Sequence, residues 1–157
     1  MKIRFGTQQD VEIVGPAVKK SWLMHVDNEP GFINREVIEN SDCTEYFDDC
    51  FNDSSKSRLL VAEIDDKIAG FAKVDFLTIQ KFFNETRILY VDDIYTMEEY
   101  RGKGVAKFVL EEVEKFAKEQ DINWLKARIY TFNDAAQKTF KSSGFKDIYS
   151  EYFKIIK

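Results

Sequence analysis

The sequence predicts an α/β fold, a single domain over residues 1–157 in which α-helices flank one mixed central β-sheet. Three observations carry this. Apolar alternation and helical periodicity follow one another in the order β-α-α-β-β-β-α-β-α-β, and a glycine loop joins a β-branched, aromatic strand directly to an amphipathic helix. The 157 residues, 44% hydrophobic and 32% charged, suit one domain with a sizeable core.

Lys2 to Phe5 reads as a short strand, followed by a helix from about Gln9 to His25 with Thr7 as N-cap. A second helix is expected over Arg35 to Phe51. Glu36, Glu39, Asp42, Glu45, Asp48 and Asp49 line up along it and Asp53 follows; such a face is ordinarily solvated, but it would also draw a cation toward a cleft. After the polar loop Asn52 to Ser57, Arg58 to Ile64 and Ile68 to Leu77 form a hairpin about Asp65-Asp66-Lys67. Phe82-Phe83-Asn84 marks a loop tip before the central strand, Ile88 to Met97. The helix Lys103 to Glu119 carries Val105, Val109, Val113, Phe116 and Ala117 on one face, with Glu111, Glu114, Lys115 and Lys118 opposite. Trp124 to Tyr130 is the next strand. Asn133 to Ser143 is the last helix, ended by Gly144 at the position of a left-handed cap, and a strand pair over Lys146 to Ile156 closes the chain.

The loop Arg101-Gly102-Lys103-Gly104-Val105-Ala106 is the segment richest in chemistry. Glycines let a ligand approach the backbone, and the free N–H groups of the following helical turn, with the positive end of the helix dipole behind them, suit a pyrophosphate. The loop matches neither the P-loop pattern nor the dinucleotide fingerprint, which needs glycine where Lys107 stands. A plain turn into a core helix would also account for Gly102 and Gly104.

A net charge of −5 argues against a nucleic-acid-binding surface and leans toward cationic partners. No apolar stretch approaches the ~20 residues of a membrane span, and the N-terminus reads as a charged strand rather than a signal peptide, so a cytoplasmic protein is expected. Cys43 and Cys50, seven apart in the expected helix, would have Cα atoms ~10 Å apart at ~1.5 Å rise per residue, too far for a disulfide. With His25 the sole histidine, no metal site is expected, and His25 reads as a structural or surface residue rather than a catalytic one. The aromatic run Tyr149, Tyr152, Phe153, Ile155, Ile156 fits either packing of the last strands or a homodimer surface.

Element order and motifs together resemble the Gcn5-related N-acetyltransferase (GNAT) superfamily over essentially the whole chain. The family's R/Q-x-x-G-x-G/A signature is read in Arg101 to Ala106, and its N-x-x-A-x-x-x-Y-x-x-x-G-F pattern in Asn133, Ala136, Gly144 and Phe145, with Phe140 at the tyrosine position. Arg4 and Gly70 are weaker marks. The resemblance implies acetyl-CoA as acyl donor. Its pyrophosphate would lie on the backbone of Arg101, Gly102, Lys103, Gly104, Val105 and Ala106, and its pantetheine arm along Ile94, Tyr95, Thr96 and Met97. Asn133 would face the same arm, although asparagine there also suits an N-cap. The acidic pair Asp92-Asp93 makes the stretch from Leu89 to Gly102 similar to the diamine and polyamine N-acetyltransferases, which implies a small-molecule amine as acceptor.

A lysine-like amine of pKa ~10.4 is neutral only ~0.04% of the time at pH 7, a handicap of ~4.6 kcal/mol, so something must take its proton. Asp92 is favoured as base or as organiser of a water, by alignment with the acidic residue of the polyamine enzymes. Asp93 is the alternative, because neighbours in a regular strand face opposite ways. Either aspartate binding backbone N–H groups would explain its presence equally well. A backbone N–H near Ile94 would stabilise the oxyanion, and neither cysteine is read as a nucleophile. Phenylalanine at position 140 cannot protonate the departing thiolate. That keeps open an acyl-CoA-binding sensor that has lost catalysis, beside an acetyltransferase acting on protein or peptide amines.

Overall fold

The computed structural model describes residues 1–29 and 31–156. In chain order the elements are β1 (Lys2–Phe5), a 3₁₀ turn (Gln8–Asp10), α1 (Val11–Asn28), α2 (Arg35–Asn40), α3 (Thr44–Asn52), β2 (Ser57–Ile64), β3 (Lys67–Thr78), β4 (Arg87–Thr96), α4 (Val105–Glu119), β5 (Trp124–Ala127) and α5 (Asp134–Ser142). The sheet runs β1-β2-β3-β4-β5; its first four strands are antiparallel neighbours, and β5 joins β4 in parallel. The mixed sheet flanked by helices is the fold that the sequence predicts. Among the described residues no helix is long and apolar enough to cross a membrane.

Two apolar layers sandwich the sheet. Leu60, Ala62, Val74, Leu89 and Val91 meet α4 and Phe140 of α5 on one face, while Leu59, Val61 and Phe71 meet Val14 and Val18 of α1 and Phe47 of α3 on the other. All five apolar positions expected along α4 are buried. The β2–β3 turn is tight because Asp65 and Asp66 both take positive φ, 51° and 58°, a conformation that aspartate tolerates better than most residues. Arg4 in β1 forks onto Asp10 with two bonds of 2.8 Å and reaches Glu63 at 2.7 Å, tying the first strand to the start of α1.

Three expectations are corrected. The helix expected over residues 35–51 is broken between α2 and α3, where Cys43 adopts φ 62°. The short side chains of Ser41 and Asp42 accept from the N–H groups of Cys43 and Thr44, both at 2.9 Å, and so stabilise the break. Cys43 and Cys50 therefore do not share one helix, and both thiols are free and buried. The strand expected over residues 124–130 stops at Ala127, and the expected final strand pair does not form: residues 146–156 are neither strand nor helix. Their side chains find no common apolar face to bury, and Ile148, Tyr152 and Ile156 stand 78%, 94% and 88% exposed. The tail instead makes isolated contacts, Tyr149 with Lys126, Phe153 with Phe32, Asp147 with Lys141 and Glu151 with Arg128.

Candidate active site

The decisive local feature is a bulge in β4. Its pairing with β3 passes from Lys73↔Asp93 to Val74↔Val91, leaving Asp92 as the extra residue. Leu89, Val91 and Ile94 all pack toward α4. A regular strand would send Asp93 to that side as well. The extra residue instead keeps Asp92 and Asp93 together on the α1–α3 side, where Tyr95 and Met97 follow them. The expectation that only one aspartate enters a given cleft is thus overturned by the bulge.

The same irregularity frees backbone. Met97 N–H donates to the Ala69 carbonyl at 2.9 Å, so by the alternation of an antiparallel ladder the N–H groups of Ile94 and Thr96 point away from β3. Pairing with β5 ends at Val91↔Ala127. Beyond that point the two parallel strands leave an opening, and the Ile94 and Thr96 donors face it.

Around the acidic pair the side chains interlock. The Tyr46 hydroxyl of α3 lies 2.8 Å from Asp92 Oδ2 and 2.5 Å from Asp93 Oδ2, and Trp22 Nε1 of α1 donates to Asp93 Oδ2 at 3.2 Å. Lys73, 6% exposed, donates to Asp92 at 3.0 Å and to Asp75 at 2.7 Å, and Ser57 donates to Asp75 at 2.6 Å. Burial pushes the Asp93 carboxyl up to about 6, reinforced by the charge of Asp92 and opposed by the bonds from Tyr46 and Trp22. Burial would lower Lys73, but its bonds and charge contacts with Asp75 and Asp92 outweigh that and raise it, so it stays an ammonium. Burial and both carboxylates hold the Tyr46 phenol far above its ordinary value. Three carboxyls thus share one cation.

Tyr46, Trp22 and Lys73 were not singled out by sequence reasoning. Lys73 carried a signal, a lysine inside the apolar run Gly70-Phe71-Ala72-Lys73-Val74, since a buried lysine demands anionic partners. Tyr46 and Trp22 look like ordinary helix core positions.

The glycine loop lies at the N-terminus of α4. Gly102 and Gly104 take φ 75° and 79°, and a methyl group at either would meet nothing within 4 Å, so the glycines serve backbone conformation and leave the loop face open. No side chain caps α4, whose N-cap is Gly104, which leaves its first-turn N–H groups for a ligand. Val105 is buried and anchors the helix against Gly70, where a methyl group would come within 2.7 Å of Val105 Cγ1 and of the Tyr95 carbonyl. Arg101 reaches the Tyr95 hydroxyl at 3.3 Å, and Lys103 lies over the Tyr100 ring. Asn133 accepts from Ala136 N–H at 3.0 Å, the N-cap role, and Phe140 is buried with its ring edge-on to Phe145. Of the acidic row, Glu39 pairs with Arg35, Asp49 with Lys56, and Asp42 and Asp53 bind local turn donors. His25 stacks on Tyr130, with burial lowering its pKa.

With this geometry the comparisons agree. The acetyltransferase (GNAT) family profile matches residues 23–145, more than half of the chain. The chain belongs to the GNAT acetyltransferase family. A thialysine N-epsilon-acetyltransferase of Bos taurus is 29% identical over 62 residues, which is 40% of this chain and 36% of that protein, so the alignment spans about a third of the relative's length. A tetramutant of the BH1408 protein from Bacillus halodurans superposes with a TM-score of 0.85 at 19% identity, covering 99% of this chain and 100% of that one. A predicted acetyltransferase of Clostridium acetobutylicum, solved with acetyl-CoA, gives a TM-score of 0.70 at 20% identity over 99% and 95% of the two chains. These solved structures share the GNAT fold.

Proposed function

We propose that this GNAT protein transfers the acetyl group of acetyl-CoA to a primary amine of a small cationic acceptor, such as a polyamine, by direct attack with both substrates bound. The bulge in β4 carries the reading, because it turns Asp92 and Asp93 to one side of the sheet within two residues of the Ile94 N–H, which β4 carries past the end of β5. The open, uncapped loop fits the donor: the backbone from Arg101 to Ala106 would hold the pyrophosphate, and Ile94, Tyr95, Thr96 and Met97 the pantetheine arm, with Asn133 flanking. Bound there, acetyl-CoA supplies an activated thioester carbonyl. Ile94 N–H would then donate to the oxygen that gains charge, a contribution of about 2.7–4 kcal/mol for one such donor in other enzymes.

Three carboxyls against one lysine favour an ammonium-bearing acceptor. The bovine relative named for acetylating an Nε amine is a more distant support. The acceptor nitrogen loses one proton to the acidic pair, its lone pair forms the N–C bond, the C–S bond breaks, and the second N–H proton leaves with the thiolate. The exposed tail residues Ile148, Tyr152 and Ile156 support a homodimer that covers them, which light scattering tests.

The experiment is acetyl-CoA-dependent thiol release with polyamines, aminoglycosides, amino acids and lysine peptides, each against a control without acceptor. Release with a polyamine or other small amine supports the proposal, and release with peptides alone moves the acceptor to proteins. Calorimetric binding of acetyl-CoA without release from any acceptor replaces the enzyme by an acyl-CoA sensor.

A further inference from the structure

The acidic pair poses a proton-counting problem that the proposed reaction leaves open. A tyrosine hydroxyl has one proton, yet the Tyr46 oxygen is within hydrogen-bond distance of two carboxyl oxygens, 2.8 Å from Asp92 and 2.5 Å from Asp93. It donates to only one of them. The other approach is attractive only if that carboxyl carries a proton of its own and donates it to the Tyr46 oxygen. Surroundings decide which one can. Asp92 is hydrogen-bonded to the Lys73 ammonium at 3.0 Å and keeps 31% of its side chain exposed, whereas Asp93 feels Lys73 through space alone and is hydrogen-bonded to a neutral indole and a neutral phenol. Asp93 is the carboxyl that holds a proton more easily, and Asp92 is the one open to a substrate.

We propose that Tyr46 ties Asp92 and Asp93 into one acid–base unit, in which a proton taken from the acceptor ammonium at Asp92 passes through the Tyr46 hydroxyl to Asp93. This rests on the acetyl-transfer reading above. Above about pH 6 both carboxyls start ionised: Asp92 accepts the ammonium proton and gives it to the Tyr46 oxygen as Tyr46 releases its own proton to the Asp93 carboxylate, which produces the singly protonated pair whose contacts the structure shows. The net result is neutral amine plus neutral Asp93, with Asp92 and Tyr46 unchanged, and after acetyl transfer the proton returns to solvent by the same path. Tyr46 touches no substrate; it is a positioning residue acting through Asp92.

Burial gives the arrangement its use. An ordinary aspartate is a poor base for an amine, while Asp93, raised to about 6, is stronger by about 2 pKa units. The other groups around the pair support this division. Lys73, Asp75, Ser57 and Tyr90 stand on the Asp92 side. Trp22, Tyr95 and the thiols of Cys43 and Cys50, which burial raises, complete the α1, α3 and β4 surroundings; the one cation that acts on Asp93 is Lys73, whose charge lowers it without a hydrogen bond and is outweighed by burial.

The test is Tyr46→Phe, which keeps the ring against Trp22 and Phe47 and removes only the hydroxyl. In the wild type the acid limb of kcat/KM and the ¹³C carboxyl titration of Asp93 coincide near pH 6. In Tyr46→Phe the Asp93 titration moves up, having lost a donor, while the kinetic limb falls away from it and kcat drops about 10²-fold with KM little changed. Trp22→Phe, which removes a donor from Asp93 without cutting the path, moves both together. A purely packing role for Tyr46 would leave the limb where it is, and that result overturns the proposal. Substrate-free protein separates the two claims: if no acceptor is found but Tyr46→Phe still raises the Asp93 titration, the hydrogen-bonded unit stands and the reaction falls. An Asp93 titration that Tyr46→Phe leaves unmoved removes the relay whatever the acceptor.

Discussion

Asp10 and Asp93 are both aspartates shielded from water, and they are driven in opposite directions. Asp10 receives the forked guanidinium of Arg4 and the N–H and hydroxyl of Thr7, which hold it down at about 2 despite burial. Asp93 receives a phenol and an indole and faces a second carboxylate, so burial wins and lifts it to about 6. The comparison teaches where each group stores free energy: Asp10 stabilises the fold, whereas Asp93 costs stability and stands beside the opening where chemistry is expected. The largest test acts on the chemistry. Asp92→Asn removes the entry to the acidic pair, and kcat should fall about 10³-fold, ~4 kcal/mol, within the range known for general acid–base groups. An unchanged rate and pH profile would leave the pair no different in kind from Asp10.

Removing the stabilised carboxylate comes next. Asp10→Ala leaves Arg4 with Glu63 alone and removes the acceptor for the Thr7 N–H, and should cost about 2 kcal/mol in urea unfolding at pH 7, solvent screening of the partly exposed Arg4 included, while leaving the acid limb of activity in place. Folding lowers the pKa of Asp10, so its contribution is full above its unfolded value of about 4 and is lost as pH falls toward about 2. Asp93 has the reverse sign. Folding raises its pKa, so the penalty is absent below about pH 4 and grows as pH rises through about 6. Asp93→Asn should therefore stabilise the protein by about 2 kcal/mol at pH 8 and by almost nothing at pH 4. Equal gains at both pH values would mean that Asp93 is as well satisfied as Asp10.

The two aspartates also mark the limit of what was legible in the sequence. Strand–loop–helix order, the apolar face of α4, the glycine loop and the Asp65-Asp66 turn are local patterns, and the folded chain reproduces them. What went unread depends on contacts between distant segments. The bulge at Asp92 is set by β3 pairing with β4, so alternation alone put the two acids on opposite faces. Tyr46 and Trp22 join the site from helices 46 and 71 residues away along the chain, and nothing in their local spacing differs from ordinary core positions. The tail failed for a different reason: its apolar residues read as strands, but a strand needs a partner surface, and β5 ends after four residues.

The smallest expected effect concerns the departing thiolate. Phe140 occupies the position where the resemblance implies a tyrosine acid, and its ring is 4% exposed, packed on Phe145 within the α4-side core. Protonating a thiolate of pKa ~8.5 at pH 7 is worth only ~2 kcal/mol, so little is gained even by an ideally placed acid. Phe140→Tyr should change kcat by about twofold or less and lower stability by about 1 kcal/mol, because the added hydroxyl enters an apolar layer. Measured as kcat at pH 6 and pH 8 with a parallel melting curve, a tenfold rise confined to the lower pH would show that the ring edge reaches the thiolate. The acid would then be a simple vacancy at this position, and the Asp92–Asp93 pair would no longer be the sole source of the pH dependence that separates it from Asp10.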